Sequence, residues 1–78
     1  MTITDEDYNK ISDTVYWIDP LHKKHDPTIK DGEIRVINEK EYEVLKVEDN
    51  TDNGMQAMAV APIVNGKADT SQVVIANV

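Results

Sequence analysis

The apolar positions of this chain follow a helical period first and a strand period afterwards. Tyr8, Ile11, Val15 and Ile18 recur at spacings of three, four and three, which places them on one helical face. Thr4 supplies the start signal, because its hydroxyl can accept from an unpaired backbone N–H. Asp5, Glu6 and Asp7 follow where the helix dipole favours negative charge. Pro20 disfavours helical geometry at Asp19, so the spacing predicts a helix from about Asp5 to Trp17 or Ile18. Tyr16 and Trp17 flank the stripe and widen its apolar face, and a helix with that much aromatic surface must lie on something.

Residues 19–32 carry two prolines, several Asp and Gly stops and no period, and read as a long loop. Ile34 and Val36 then alternate with Glu33 and Arg35, as in a short half-exposed strand. Asn38-Glu39 turns the chain without the glycine that makes such a turn easy. Tyr42 and Val44 continue the alternation, whereas Leu45 and Val47 fall on the opposite parity, which predicts a bulge or a strand buried on both faces. Residues 48–54 read as a turn. The run from Met55 to Val64 is apolar at both parities, as in an interior strand, with Pro62 at an edge or near a strand end. Asn65-Gly66 is the strongest hairpin signal, and Ser71–Ala76 closes as the last strand. The expected fold is α+β: one N-terminal helix packed on a small, mostly antiparallel sheet of about four strands, in the order αββββ. Ile11 and Val15 should meet the sheet at residues such as Val44, Val60 and Val74.

Length and composition narrow the function classes. Seventy-eight residues make a single small domain, 1–78, or the N-terminal fragment of a larger one. A chain this short buries only about 60% of its unfolded surface. With one Trp, three Tyr and no Phe, the core must rest on Val, Ile, Ala and Met. A net charge of −7 repels phosphates and anionic lipid, so no nucleic-acid partner is expected. An acidic decoy fits poorly, since Lys23, Lys24, Lys30, Lys40, Lys46 and Lys67 interrupt the carboxylates. The absence of cysteine excludes a disulfide framework and any thiolate site. No apolar run approaches the roughly 18 residues of a span, so no stable membrane insertion is expected. Met1–Asp7 lacks the pattern of a signal peptide, which points to the cytoplasm or to export by a route that needs none.

His22 and His25, flanked by Asp19 and Asp26, suggest a metal cluster, but two lysines stand between them and the prolines argue against a shared helical face. Counting Asp49 as the first position of a calcium loop puts Thr51, Asn53 and Gly54 in register. Val60 then falls where a bidentate carboxylate is required. Ser12 and Ser71 are the only serines, and neither sits in a Gly-x-Ser-x-Gly elbow. No catalytic, cofactor-binding or metal-binding residue is therefore expected.

Two segments carry a family resemblance. "YNKISDTVYWIDPLHKKHDP" and "NGMQAMAVAPIVNGKADTSQVVIA" resemble the N-terminal region of lipase-like α/β-hydrolases of Gram-positive bacteria, in the wider class-3-lipase-like group. The likeness covers nearly the whole chain and rests on ordinary residues, above all "YWIDPLHKKH" and "MAVAPIVNGK". It implies a helix and hairpins leading into the first strands of a hydrolase sheet, where a strand like "QVVIA" runs into a Gly-Thr loop. Here Asn77-Val78 stand at that boundary, so no catalytic residue of the family maps onto this chain. The resemblance implies a non-catalytic scaffold segment whose full-length parent hydrolyses lipid or other carboxylic esters. The alternative expectation is a small acidic interaction module that pairs with itself or a partner protein through its C-terminal strand, where Val73-Val74-Ile75-Ala76 form the most apolar run.

Overall fold

The computed structural model describes residues 2–50 and 55–77. Helix α1 spans Asp5–Asp13 and opens on a capping box: the Thr4 hydroxyl accepts the Asp7 N–H at 3.1 Å and the Asp7 carboxylate accepts the Thr4 N–H at 2.9 Å. A 3-10 turn, Thr14–Trp17, continues the helix to the expected end, wound tighter. At the changeover the Thr14 hydroxyl donates to the Ile11 carbonyl at 2.5 Å, the kind of local bond that competes with regular α geometry.

The stripe docks through Ile11, Val15 and Ile18, all buried. Tyr8 departs from the expected stripe and is 45% exposed. Asp7, fully buried, occupies the inner face there because it is bonded to the sheet as well as to its own helix.

Five strands form the sheet: β1 (Ile34–Ile37), β2 (Lys40–Asn50), β3 (Met55–Val64), β4 (Lys67–Ala68) and β5 (Val74–Asn77). Every pairing among the described residues is antiparallel, in the order β1-β2-β3. The second edge of β3 is shared: β5 pairs with Ala57–Val60, and β4 with Ile63 and Val64. The α+β expectation is met, with one short strand more than the four foreseen. The extra strand, β4, follows Asn65-Gly66, whose φ angles of 52° and 78° give the left-handed pair a two-residue hairpin needs. Pro62 lies near the end of β3, as its missing donor requires.

Asn38-Glu39 makes the β1–β2 turn with φ of 53° and 66°, a left-handed pair without glycine. Tertiary bonds hold it in place: Asn38 Nδ2 donates to Asp7 Oδ1 at 2.7 Å and Lys40 Nζ to Asp7 Oδ2 at 2.5 Å. The parity change in β2 is a bulge between Val44 and Lys46. Gly32 and Glu33 exchange backbone bonds with Val44 beside it, and Asp31 accepts the Val47 N–H at 2.7 Å.

Two expectations need correction. The last strand starts at Val74, because Thr70–Gln72 form a 3-10 turn in which the Asp69 carboxylate accepts the Ser71 N–H and hydroxyl. Glu48, Asp49 and Asn50 belong to β2 and not to a turn, since they continue the ladder opposite Ala57, Gln56 and Met55. The rest of that expected turn, 51–54, lies outside the described residues.

The core is the layer between helix and sheet. Ile11, Val15 and Ile18 pack on Tyr42, Val44, Met58, Val60 and Ala76, with Trp17, Ile29 and Val74 at the rim. The expected partners Val44, Val60 and Val74 are all in this layer.

Candidate functional site

One face of the sheet is covered by the helix, and the other is open in part: Met55 is exposed at one end of β3, whereas Ala61, on the same parity, is fully buried. Residues whose side chains point inward on β3 are Met58 and Val60, both buried, so Met55, Ala57 and Ala59 point outward. Register extends the outer face across the sheet. Lys46 and Glu48 on β2 lie opposite Ala59 and Ala57, and Ile75 on β5 lies opposite Ala59 from the other side. On β1, Ile34 and Val36 share this face with their partners Glu43 and Glu41.

The outer face carries exposed apolar side chains on β1, β3 and β5 and a charged row on β2. Ile34, Val36, Met55, Val73 and Ile75 are among the exposed large hydrophobics, between 43% and 65% open. Around Ala57 and Ala59 the surface sinks into a shallow depression of about 350 Å³, bounded by Met55 at one end of the β3 row, by Ile75 on β5 and by Lys46 and Glu48 on β2. Small side chains on β3 between longer ones on β2 and β5 make that trough. β5 pairs with β3 alone among the described residues, so its far edge adds open backbone beside the trough.

The residues singled out from sequence lie elsewhere. His22 stacks on Tyr16 with ring centroids 4.3 Å apart, and its Nδ1 accepts the Lys24 N–H at 3.1 Å. His25 donates its backbone N–H to the His22 carbonyl, which makes the segment a closed turn. The side chain of Asp19 accepts the Leu21 N–H, and Leu21 itself is almost wholly exposed. Asp26 is committed to Thr28 and, at 2.6 Å, to Arg35. Those bonds, Thr28 first and Arg35 next, hold the Asp26 carboxyl well below the usual carboxylate range. Arg35 also meets Glu33 at 3.1 Å and lies over the Trp17 ring at 5.7 Å, so the cluster fastens the loop to the sheet. Among the described residues no group of three or more His, Asp or Glu is placed to hold a metal ion.

Ser12 lies exposed on α1, and Ser71 donates to Asp69, so no histidine is brought to either hydroxyl. Asp49 faces Gln56 across the β2–β3 ladder, and the remainder of the calcium-like stretch, 51–54, is outside the described residues. A smaller cleft of about 180 Å³ between the helix end and β1 is lined by Lys10, Asp13, Trp17 and Lys24 among others. It gathers no nucleophile with a base.

The strongest polar centre is Asp7, which sequence reasoning treated only as a dipole-favouring helix acid. Its carboxylate takes Lys40, the Thr4 backbone and Asn38, and these bonds, Lys40 foremost, hold its pKa far below the ordinary value. Thr4 and Asp7 at capping-box spacing were a visible signal for the local half of this arrangement. The nearby Tyr42 hydroxyl is buried with no hydrogen-bond partner, and burial pushes it above the ordinary phenol value. This centre joins helix to hairpin.

No helix among the described residues is long and apolar enough to cross a membrane. Comparison with family models, curated proteins and solved structures gives no match.

Proposed function

We propose that this chain is a non-catalytic scaffold segment, like the N-terminal region of a lipase-like serine hydrolase, whose open sheet face takes further polypeptide. The single observation that carries the reading is the outer face itself. Helix α1 covers one side of the sheet, while Ile34, Val36, Met55, Val73 and Ile75 stay exposed on and beside the other. Exposed apolar side chains gathered around a depression, as Met55 and Ile75 are around Ala57 and Ala59, are a common mark of a surface covered by a partner. The full-length parent hydrolyses lipid or other carboxylic esters through a serine supplied elsewhere, and this segment contributes framework.

The free edge of β5 favours a second reading, an acidic module that adds a strand from a second copy or a partner protein. Sedimentation equilibrium of the purified chain separates the two. A monomer across the micromolar range supports the scaffold segment. A tight dimer that Ile75→Lys dissociates supports the module and overturns the scaffold reading. The coding sequence beyond Val78 tests parentage directly, by an in-frame Gly-Thr loop and a later Gly-x-Ser-x-Gly.

A further inference from the structure

The cleft between the end of the helix and β1, about 180 Å³, carries charge of the sign opposite to the rest of the molecule. Lys10 lines it from α1 and Lys24 from the loop that follows, and Asp13 is its one carboxylate. Those three side chains sum to about +1, in a chain whose net charge is −7. Among the described residues neither ammonium forms an ion pair, although Asp13 stands only three positions from Lys10. The loop holding Lys24 is pinned. Its backbone N–H is taken by His22, His22 stacks on Tyr16, and the Asp26 N–H donates to the Trp17 carbonyl at 2.9 Å. Trp17 supplies apolar surface and is itself fixed, packed against the core with Arg35 over its ring. Asp7, which Asn38 at the edge of the cleft holds, is already matched by Lys40.

We propose that this cleft binds a small aromatic carboxylate, with one ring against Trp17 and the carboxylate taken by Lys10 and Lys24. Size selects the ring, since an apolar cavity of roughly 150 Å³ holds one benzene. Charge selects the carboxylate: two unpaired cations favour an anion, while the net charge of the whole chain disfavours a polyanion such as a nucleoside triphosphate. A cationic ligand would meet both lysines. The site binds without reacting, because no nucleophile and base meet there. It shares no residue with the depression around Ala57 and Ala59, so it holds whether or not that face is covered.

The test uses the intact chain with phenylacetate, its neutral amide phenylacetamide, and inorganic phosphate. Trp17 is the only tryptophan, so its emission reports on the cleft directly, and the amide spectrum by nuclear magnetic resonance gives a second readout. Phenylacetate should saturate both signals in the millimolar range and bind about fivefold more tightly than phenylacetamide, from two exposed ion pairs. Lys10→Gln combined with Lys24→Gln, both at exposed positions, should abolish that preference while leaving the melting temperature and the phenylacetamide affinity unchanged. Equal affinity for acid and amide, or a preference that survives the double substitution, would overturn the role of the lysines. Phosphate binding as tightly as phenylacetate would overturn the aromatic ligand. No change in either signal with phenylacetate would overturn the site.

Discussion

Ile11→Ala tests the central packing claim, that the helix docks through a narrow buried line. Ile11 has no exposed surface, and its neighbours Val15, Tyr42, Val44 and Met58 belong to the same core layer. The substitution removes three carbons, and at about 0.8 kcal/mol per buried CH₂ the lost transfer energy is about 2.4 kcal/mol. The unfilled space adds to this, up to about 5 kcal/mol where surroundings cannot collapse. Sheet hydrogen bonds fix the backbone on one side, so a cost of about 3–4 kcal/mol is expected. A chain of this length has only about 4–12 kcal/mol in total. Tyr8 belongs to the same sequence stripe but is 45% exposed, so Tyr8→Ala should cost less than about 1 kcal/mol. Urea unfolding followed by far-ultraviolet circular dichroism measures both. With a slope of about 1 kcal/mol/M, the Ile11→Ala midpoint should fall by about 3 M, or the variant should begin largely unfolded. Coincident midpoints for the two variants would refute docking through Ile11.

Three further outcomes are expected. The carboxyls of Asp7, Asp26 and Asp69 are lowered from an ordinary 3.8 by bonds from Lys40, Thr28 and Ser71 respectively. Their stabilising contribution is complete above that value and is lost as pH falls below it through the depressed folded values. Melting temperature should therefore drop between pH 4 and pH 2, and a flat profile there would contradict the bonding described. Gly66→Ala meets no atom within 4 Å but must hold a φ of +78°, so it should cost about 1 kcal/mol through backbone strain alone. An unchanged thermal midpoint would show that the β3–β4 turn does not need that conformation. The isolated chain should not turn over short-chain p-nitrophenyl esters, because Ser71 is bonded to Asp69 and Ser12 stands alone on α1. Saturable turnover lost in Ser12→Ala or Ser71→Ala would overturn this.

The elements legible in sequence were those set by local patterns. The helix span, the bulge after Val44 and the Asn65-Gly66 hairpin each rest on a short-range signal, and each is present. What escaped was set by contacts between distant residues. Tyr8 satisfied the helical period as well as Ile11 did, and only the bonds from Asn38 and Lys40 to Asp7 decide which residue turns inward. Ser71 and Gln72 looked strand-like until Asp69 captured them in a turn. The open face was hidden for a related reason. A run apolar at both parities predicts a strand covered on both sides, and β3 meets that only toward Ala61, which is buried, while the outer side near Met55 and Ile75 is open.

The carboxylate of Asp7 sets how this molecule comes apart. It accepts bonds from the helix start and from residues 31 and 33 positions away at the β1–β2 turn. A helix N-terminus ordinarily frays at almost no free-energy cost, independently of its surroundings. Here fraying the first turn of α1 also releases Asn38 and Lys40, and with them the left-handed turn that has no glycine to hold it. The first helical turn and the β1–β2 hairpin therefore open as one cooperative unit. Their amide protons should exchange with solvent at a shared opening free energy, although Asp7 lies 31 and 33 positions along the chain from the residues it holds.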